Sequence, residues 1–203
     1  MLGENEVAAL MEDQEVLDAT LRLKTEFITS EAQFLDISDD DFISLVFLAP
    51  SVGVALANGT ISLFEELTIN KKARRLSKGS YFLKKDPVVH AAQFLIKNFE
   101  KWENPFYELL KLTIFSTFRK SPIILEALRN KEASTNDMRK DIMNAPYILV
   151  KIIAFLFADD ESDLMANRSI SQVEYDKIVE IGEKLDIHNL PIFQTFCQTF
   201  IIR

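Results

Sequence analysis

The spacing of apolar residues along the chain predicts helices and no strands. No segment alternates apolar and polar residues with the period of two that marks a half-buried strand. Apolar residues instead occur in long blocks, one of which, from residue 42 to residue 64, contains no charged side chain. An amphipathic block over about residues 4–24 precedes it, and residues 25–37 are mixed in character. We therefore expect an N-terminal helix and linker over residues 1–37 and a helical domain over residues 38–203.

Residues that commonly begin helices divide the remainder of the chain. Side chains of Ser, Asp and Asn accept hydrogen bonds from the free backbone N–H groups at a helix start, and proline fits the first turn. These residues predict helices over about 39–57, 62–77, 87–102, 105–119, 122–131, 146–158 and 171–186. They also predict a short helix that Ser134 begins with Asp137, and a last helix that Asn189 begins with Pro191. The expected fold is an all-α, single-domain bundle of about eight to nine helices.

Two of the predicted helices follow similar loops. The first copy reads Ala57-Asn58-Gly59-Thr60-Ile61-Ser62-x-x-Glu65. The second begins Ala158-Asp159-Asp160 and, after a polar insertion at 162–168, continues Ser169-Ile170-Ser171-x-x-Glu174. An offset of 109 positions relates the Ile-Ser-x-x-Glu of the two copies, and it also relates Leu76 to Leu185. An internal repeat constrains the fold, so we expect two pseudo-symmetric helix–loop–helix units.

Both copies resemble the helix–loop–helix motif of the tellurite resistance protein TerB-like family, over residues 45–78 and 147–187. In that motif an apolar helix ends in Ala-Asp-Gly and a Ser-x-x-Glu opens the next helix. This chain has Asn58 in place of the aspartate and Asp160 in place of the glycine. The resemblance implies an all-helical domain with two related halves and acidic loops proposed as a metal site. It also implies a bacterial stress-response or membrane-associated setting, and no established enzymatic activity.

Oxygen-bearing side chains in the two loops form a candidate metal site if the halves face each other. Carboxylate and carbonyl oxygens suit hard cations such as Ca²⁺, Mg²⁺ or Mn²⁺. The candidate ligands are Asn58, Glu65, Asp159, Asp160 and Glu174. A structural interpretation competes with this one, because Ser-x-x-Glu is also a capping box in which serine and glutamate each bond a backbone N–H.

Charge is distributed unevenly along the chain. The net charge is −8, yet a run of seven cations contains no acid: Lys71, Lys72, Arg74, Arg75, Lys78, Lys84 and Lys85. This run is a candidate site for phosphate, an anionic membrane surface or an acidic partner. Alternatively, its first members complement the dipole at a helix C-terminus. The acidic overall balance argues against sequence-specific DNA binding.

Composition and motifs give no sign of an enzyme. Hydrophobic residues make up 48% of the 203 positions and charged residues 27%, as in soluble globular proteins. The single cysteine, Cys197, excludes an internal disulfide and is expected as a buried apolar group in a reducing compartment. No secretory signal, phosphate loop or metalloprotease motif occurs, and His90 and His188 lie apart from any Cys or acidic pattern. We expect a cytoplasmic protein, with the inner-membrane surface as an alternative location.

The sequence therefore predicts a non-enzymatic helical interaction module with a protein partner and a candidate divalent cation at its acidic loops. One alternative is a peripheral protein that binds anions or membrane surfaces through Lys71–Lys85. A second is a carboxylate metallohydrolase, which the absence of a histidine from both loops disfavours, since proton transfer needs such a group nearby.

Overall fold

The computed structural model describes residues 3–77, 86–119, 138–158 and 166–203, and these residues are mostly helical. The prediction of an all-α fold is confirmed, while the pseudo-symmetry of the two halves stays a prediction. The helices of the described residues are α1 (Glu4–Leu10), α2 (Gln14–Glu31), α3 (Asp39–Ala55), α4 (Leu63–Leu76), α5 (Pro87–Lys97), α6 (Phe99–Arg119), α7 (Met138–Asn144), α8 (Tyr147–Phe157), α9 (Gln172–Lys184) and α10 (Pro191–Cys197).

Side-chain caps begin four of these helices where the sequence predicts them. The hydroxyl of Ser38 accepts the backbone N–H of Asp41 at 3.1 Å, and the carboxylate of Asp86 accepts the N–H of Val88 at 2.9 Å. Ser62 and Ser171 cap α4 and α9. The last predicted cap is wrong, because α10 begins after Leu190, which has no side-chain acceptor, rather than at Asn189.

The break predicted at Asn104-Pro105 lies elsewhere. The chain leaves helical geometry at Asn98, with φ −123° and ψ 29°, and α6 then continues through Pro105. Proline removes one backbone hydrogen bond. The side chains of Trp102 and Phe106 on either side of it are buried, and this burial holds the helix together.

The N-terminal segment also differs in its bounds from the prediction. Two helices occupy it, because Asp13 caps α2 and separates it from α1. The second continues to Glu31, through half of the expected linker. The predicted helix over 122–131 lies outside the described residues, as does the predicted start at Ser134; the described helix that follows is α7.

Packing divides the chain into two compact units, residues 2–116 and residues 117–203. In the first unit α3 is the central helix and packs against α1, α2, α4 and α5. Every residue from 41 to 50 of α3 is buried, as expected for a helix that is apolar on all sides. Phe27 lies at its side, with ring centroids 5.9 Å from Phe42 and 5.5 Å from Phe106. The domain boundary predicted at residue 37 stays a prediction.

In the second unit α10 packs against α7 and α9. Its core is aromatic: Phe196 lies edge-on to Phe200 with centroids 5.0 Å apart, and Phe157 lies edge-on to Phe193 at 5.6 Å. Two strands that the sequence does not predict, β1 (Arg168–Ile170) and β2 (Phe200–Ile202), pair in parallel in this unit. Three residues are too few for an alternating pattern to be recognised.

No helix in the described ranges is long and apolar enough to cross a membrane. The uncharged block at residues 42–64 instead contains α3 from Phe42 to its end at Ala55, the turn that follows, and the first two residues of α4.

Candidate functional site

The two copies of the repeat form the same capping box, at the starts of α4 and α9. The backbone N–H of Ser62 donates to Oε2 of Glu65 at 2.7 Å, and that of Ser171 donates to Oε2 of Glu174 at 2.7 Å. In return, each serine hydroxyl oxygen accepts the glutamate's backbone N–H at 3.3 Å. The structural interpretation of Ser-x-x-Glu is therefore confirmed in both copies.

The repeat extends to the faces that the two helices bury. Four positions of α4 are buried, and the positions 109 residues later are buried as well: Ile69, Lys72, Ala73 and Leu76 in the first copy, and Ile178, Ile181, Gly182 and Leu185 in the second. Of the fourteen positions 63–76, only Lys71 differs in degree of burial from its counterpart, Glu180. The two copies therefore share an inward face as well as a start signal.

The five predicted metal ligands are only partly covered by the described residues. Asn58 is exposed in the turn after α3, next to Gly59 at φ +84°. Glu65 and Glu174 each serve a capping box, and Asp159 and Asp160 lie outside the described residues. Within the described ranges no group of three or more His, Cys, Asp or Glu side chains is placed to hold a metal ion. The cation site stays a prediction.

The cations of the predicted run differ in exposure along α4. Lys71 and Arg74 are exposed and Arg75 is half-buried, while Lys78, Lys84 and Lys85 lie outside the described residues. Lys72 is only 6% exposed, and its Nζ donates to Oγ of Ser51 on α3 at 2.9 Å. The side chain of Lys72 therefore forms part of the α3–α4 packing, and the exposed cations of this helix are Lys71 and Arg74.

The outward side of α4 carries exposed apolar side chains that the predictions above do not include. Leu63, Phe64 and Leu67 are 74%, 73% and 58% exposed within little more than one turn. At 100° per residue these side chains, Lys71 and Arg74 fall within about 100° of one another, opposite the buried residues. We call this set, Leu63, Phe64, Leu67, Lys71 and Arg74, the α4 face. The sequence does contain this information, because helical spacing places these apolar residues on the opposite side of the helix from Ile69, Ala73 and Leu76.

The exposed residues of α4 are all apolar or basic, and the face extends for about 16 Å along the helix at 1.5 Å per residue. Neither Lys71 nor Arg74 has a hydrogen bond or an ion pair from its side chain to another part of the described chain. Soluble proteins seldom leave several large apolar side chains together in water, and such patches commonly mark binding surfaces. The α4 face combines that property with positive charge.

The first unit also has a cavity of ≈ 300 Å³ between the end of α2 and α5. Residues 30–35, His90 and Phe94 line it, and the phenyl ring of Phe34 is fully exposed at its edge. The rings of His90 and Phe94 lie 5.5 Å apart. The carboxylate of Glu31, the charged residue of this lining, is directed to donors at the α5–α6 junction.

Those donors surround Glu31 closely. Nζ of Lys101 lies 2.6 Å, Nδ2 of Asn98 2.7 Å and Nε1 of Trp102 3.0 Å from the carboxylate. The hydrogen bond from Lys101 lowers the pKa of Glu31; partial burial opposes this effect, and the bond from Trp102 reinforces it. A carboxylate held in this way stays ionised and joins α2 to α6, which is a structural role.

The single cysteine is placed as the sequence predicts. Cys197 lies buried at the end of α10, and burial raises the pKa of its thiol to about 12. Since the thiolate is the nucleophilic form, this position does not suit a catalytic thiol.

Comparison with protein-family models, with curated proteins and with solved structures finds no match to this chain. The function must therefore be argued from the residues themselves.

Proposed function

We propose that this chain is a non-enzymatic helical interaction module that binds a protein partner through the α4 face. The observation that supports the proposal is the exposure of Leu63, Phe64 and Leu67 on one turn of a well-capped helix. Apolar groups at the centre of an interface supply most of its affinity, and charged groups at its rim supply orientation and specificity. Lys71 and Arg74 would form such a rim on the C-terminal side of the apolar turn.

The position of this turn also supports a binding role. The Ser62–Glu65 capping box fixes the first turn of α4, so the exposed leucines and phenylalanine are presented on rigid backbone. On the opposite side, Ile69, Ala73 and Leu76 anchor the helix in the first unit. A partner would therefore bind a preformed surface, without the entropic penalty of ordering a loop.

The matching caps and buried faces of α4 and α9 support an internally duplicated module, and we propose that it is TerB-like and acts in a bacterial stress response. The stress-response part of the proposal rests on the resemblance of the two loops alone. A strain in which the gene is deleted should then grow less well in tellurite than its parent. Equal growth of the two strains would count against this setting, and would leave the binding surface unaffected.

Photo-crosslinking tests the binding surface directly. A photoreactive phenylalanine analogue is placed at position 64 or 67 in cells that naturally contain the protein, and at Gln93, an exposed residue of α5, as the control. We expect covalent protein adducts from positions 64 and 67, absent from position 93 and reduced by Leu63→Ser. Equal crosslinking at all three positions, or none at 64 and 67, would contradict the proposal.

A further inference from the structure

The side of α9 that corresponds to the α4 face has the opposite charge. At the positions 109 residues after Leu63, Phe64, Leu67, Lys71 and Arg74 stand Gln172, Val173, Asp176, Glu180 and Glu183. We call these five residues the α9 face. Val173 is 50% exposed, and Gln172, Asp176 and Glu183 are exposed as well. The same position of the repeat therefore carries an exposed cation in one copy and a carboxylate in the other, at both 71/180 and 74/183.

Part of this charge has no partner within the described chain. Arg74 and Glu183 make no side-chain hydrogen bond or ion pair there. Glu180 is shared between Lys184 at 2.8 Å and Lys177 at 3.0 Å; burial opposes its ionisation, but these bonds outweigh burial and lower its pKa. Asp176 accepts a bond from Gln172 at 2.7 Å. Arg74 and Glu183 are thus the equivalent pair that is most available to an intermolecular contact.

We propose that the α4 face of one molecule docks against the α9 face of a second copy of this chain. The proposal rests on the proposed function and names the partner of the same surface. In a parallel alignment of the two helices Phe64 lies beside Val173, Lys71 beside Glu180 and Arg74 beside Glu183. The capping boxes hold both first turns in the same backbone geometry, with serine φ of −73° and −72° and ψ of 158° in each, which lets equivalent positions meet.

Such a contact joins two different surfaces of the chain. It builds rings or open chains when each molecule binds a further copy, and a closed dimer when two molecules exchange both contacts. About three helical turns bury less than the roughly 1,200 Å² of a stable standard interface, so the association is weak and depends on protein concentration. Its charged rim makes it weaker at high salt.

An anionic membrane surface fits the same face less well. The chain carries a net charge of −8, which repels anionic lipid, and the described α4 face offers only two exposed cations. Juxtamembrane basic segments contribute roughly 1 kcal/mol per cation, so two cations give little binding. On the α9 face, by contrast, these two cations meet two of its three carboxylates, Glu180 and Glu183, in the parallel alignment.

Sedimentation velocity of the full chain, from micromolar to millimolar concentration, tests the proposal. The expected result is an average mass that rises above the 23.3 kDa monomer with concentration and falls towards it at high salt. Arg74→Glu alone and Glu183→Lys alone should each reduce association at least tenfold, because each sets like charges against each other. An equimolar mixture of the two variants should associate again, since both of its alternating contacts pair opposite charges. Glu108→Lys, an exposed reversal on α6, is the control and should behave as the unmodified chain.

A chain that stays monomeric up to millimolar concentration overturns the proposal, as does association that neither reversal weakens. Cosedimentation of monomeric chain with phosphatidylserine vesicles, abolished by Arg74→Glu, would overturn it in favour of a membrane surface. The crosslinks at position 64 distinguish self-association from the proposed function, which is protein binding through the α4 face. Adducts to another protein, formed by a chain that sediments as a monomer, would remove self-association and leave the proposed function standing. Absence of both adducts and association removes both.

Discussion

The carboxylate of Glu65 lies 2.7 Å from the backbone nitrogen of Ser62 and accepts its hydrogen bond. The same pair of atoms is 2.7 Å apart in the second copy, between Glu174 and Ser171. Each glutamate therefore has a structural partner one turn away on its own helix. A metal ion bound by Glu65 would compete with a capping interaction already in place.

Loss of this interaction should destabilise the first unit. We expect Glu65→Ala to lower the free energy of unfolding by about 1 kcal/mol, because one backbone N–H loses its acceptor, whereas Glu65→Gln keeps most of the bond. Urea unfolding measures the difference. Glu66→Ala, in the same turn and outside the capping box, is the control for charge near the helix start. Equal losses in Glu65→Ala and Glu66→Ala would assign the effect to the helix dipole alone.

Because Glu65 and Glu174 are both engaged in capping boxes, we expect neither to contribute to cation binding. Calorimetry of chelator-stripped chain with Ca²⁺, Mg²⁺ and Mn²⁺ should give the same heat for the unmodified chain and for Glu65→Gln/Glu174→Gln. Heat present in the unmodified chain and lost in this variant would instead support the predicted ligand set. The parallel variant Asp159→Asn/Asp160→Asn tests the other two carboxylates of that set separately.

Helix starts were the part of the fold most accessible from the sequence, because a cap is a local interaction. Ser38, Ser62, Asp86 and Ser171 each bond a backbone N–H two or three residues ahead, so a short window of sequence contains the whole interaction. The break at Asn98 was not accessible in this way. It depends on the burial of Trp102 and Phe106 against Phe27, 75 or more residues earlier in the chain.

The inward position of Lys72 shows the same limit. Lysine is seldom buried, so its place among six other cations suggested an exposed patch. Its Nζ bonds Ser51 on the neighbouring helix, a contact that no local pattern records. The repeat did contain the relevant information, since the residue 109 positions later is the buried Ile181. Aligning the buried faces of both copies would have placed Lys72 inward and Leu63, Phe64 and Leu67 outward.

Gly182 stands where the first copy has Ala73, and the side chain of Phe193 leaves no room for a Cβ at position 182. We therefore expect alanine at this position to reduce stability. A Cβ on Gly182 would clash with Cζ and Cε1 of Phe193, a buried side chain. Overpacking of this kind costs about 1–3 kcal/mol, and alanine returns up to about 1 kcal/mol of helix propensity. We expect Gly182→Ala to lower the free energy of unfolding by about 1 kcal/mol.

Thermal unfolding checks this result, and the second variant Gly182→Ala/Phe193→Leu distinguishes its cause. If the clash with Phe193 is responsible, the loss from Gly182→Ala should be smaller in the Phe193→Leu background than in the unmodified chain. An increase in stability from Gly182→Ala alone would show that the ring of Phe193 moves aside readily.

The thiol of Cys197 should be nearly inert in the folded chain. With a pKa of about 12, only about one thiol in ten thousand is ionised at pH 8, and the thiolate is the reactive form. We expect reaction with a disulfide reagent to be at least a hundredfold slower in buffer than in strong denaturant. Comparable rates in the two solvents would mean that the end of α10 opens readily, in contradiction to its burial.

Glu31 gives a pH-dependent prediction because its ionised form is the one that the fold stabilises. Since the pKa of Glu31 is lowered in the folded state, its contribution is complete well above the unfolded value of about 4.3 and disappears as the pH falls through the folded value. Glu31→Gln should therefore lower the free energy of unfolding at pH 7 by about 1–2 kcal/mol, since it weakens charge-assisted bonds from Lys101 and Asn98. Below about pH 4 the difference between the two proteins should shrink.

Denaturant titrations at pH 7, 5 and 3, followed by circular dichroism, measure this difference. Glu26→Gln is the control, because Glu26 is an exposed carboxylate on the same helix, and its variant should follow the unmodified chain at every pH. A Glu31→Gln deficit that stays constant down to pH 3 would mean that shape or amide hydrogen bonding, and not the charge of Glu31, joins α2 to α6. A difference in the free energy of unfolding that becomes smaller at low pH would show that the ionised carboxylate of Glu31 and its three donors hold α2 against α6.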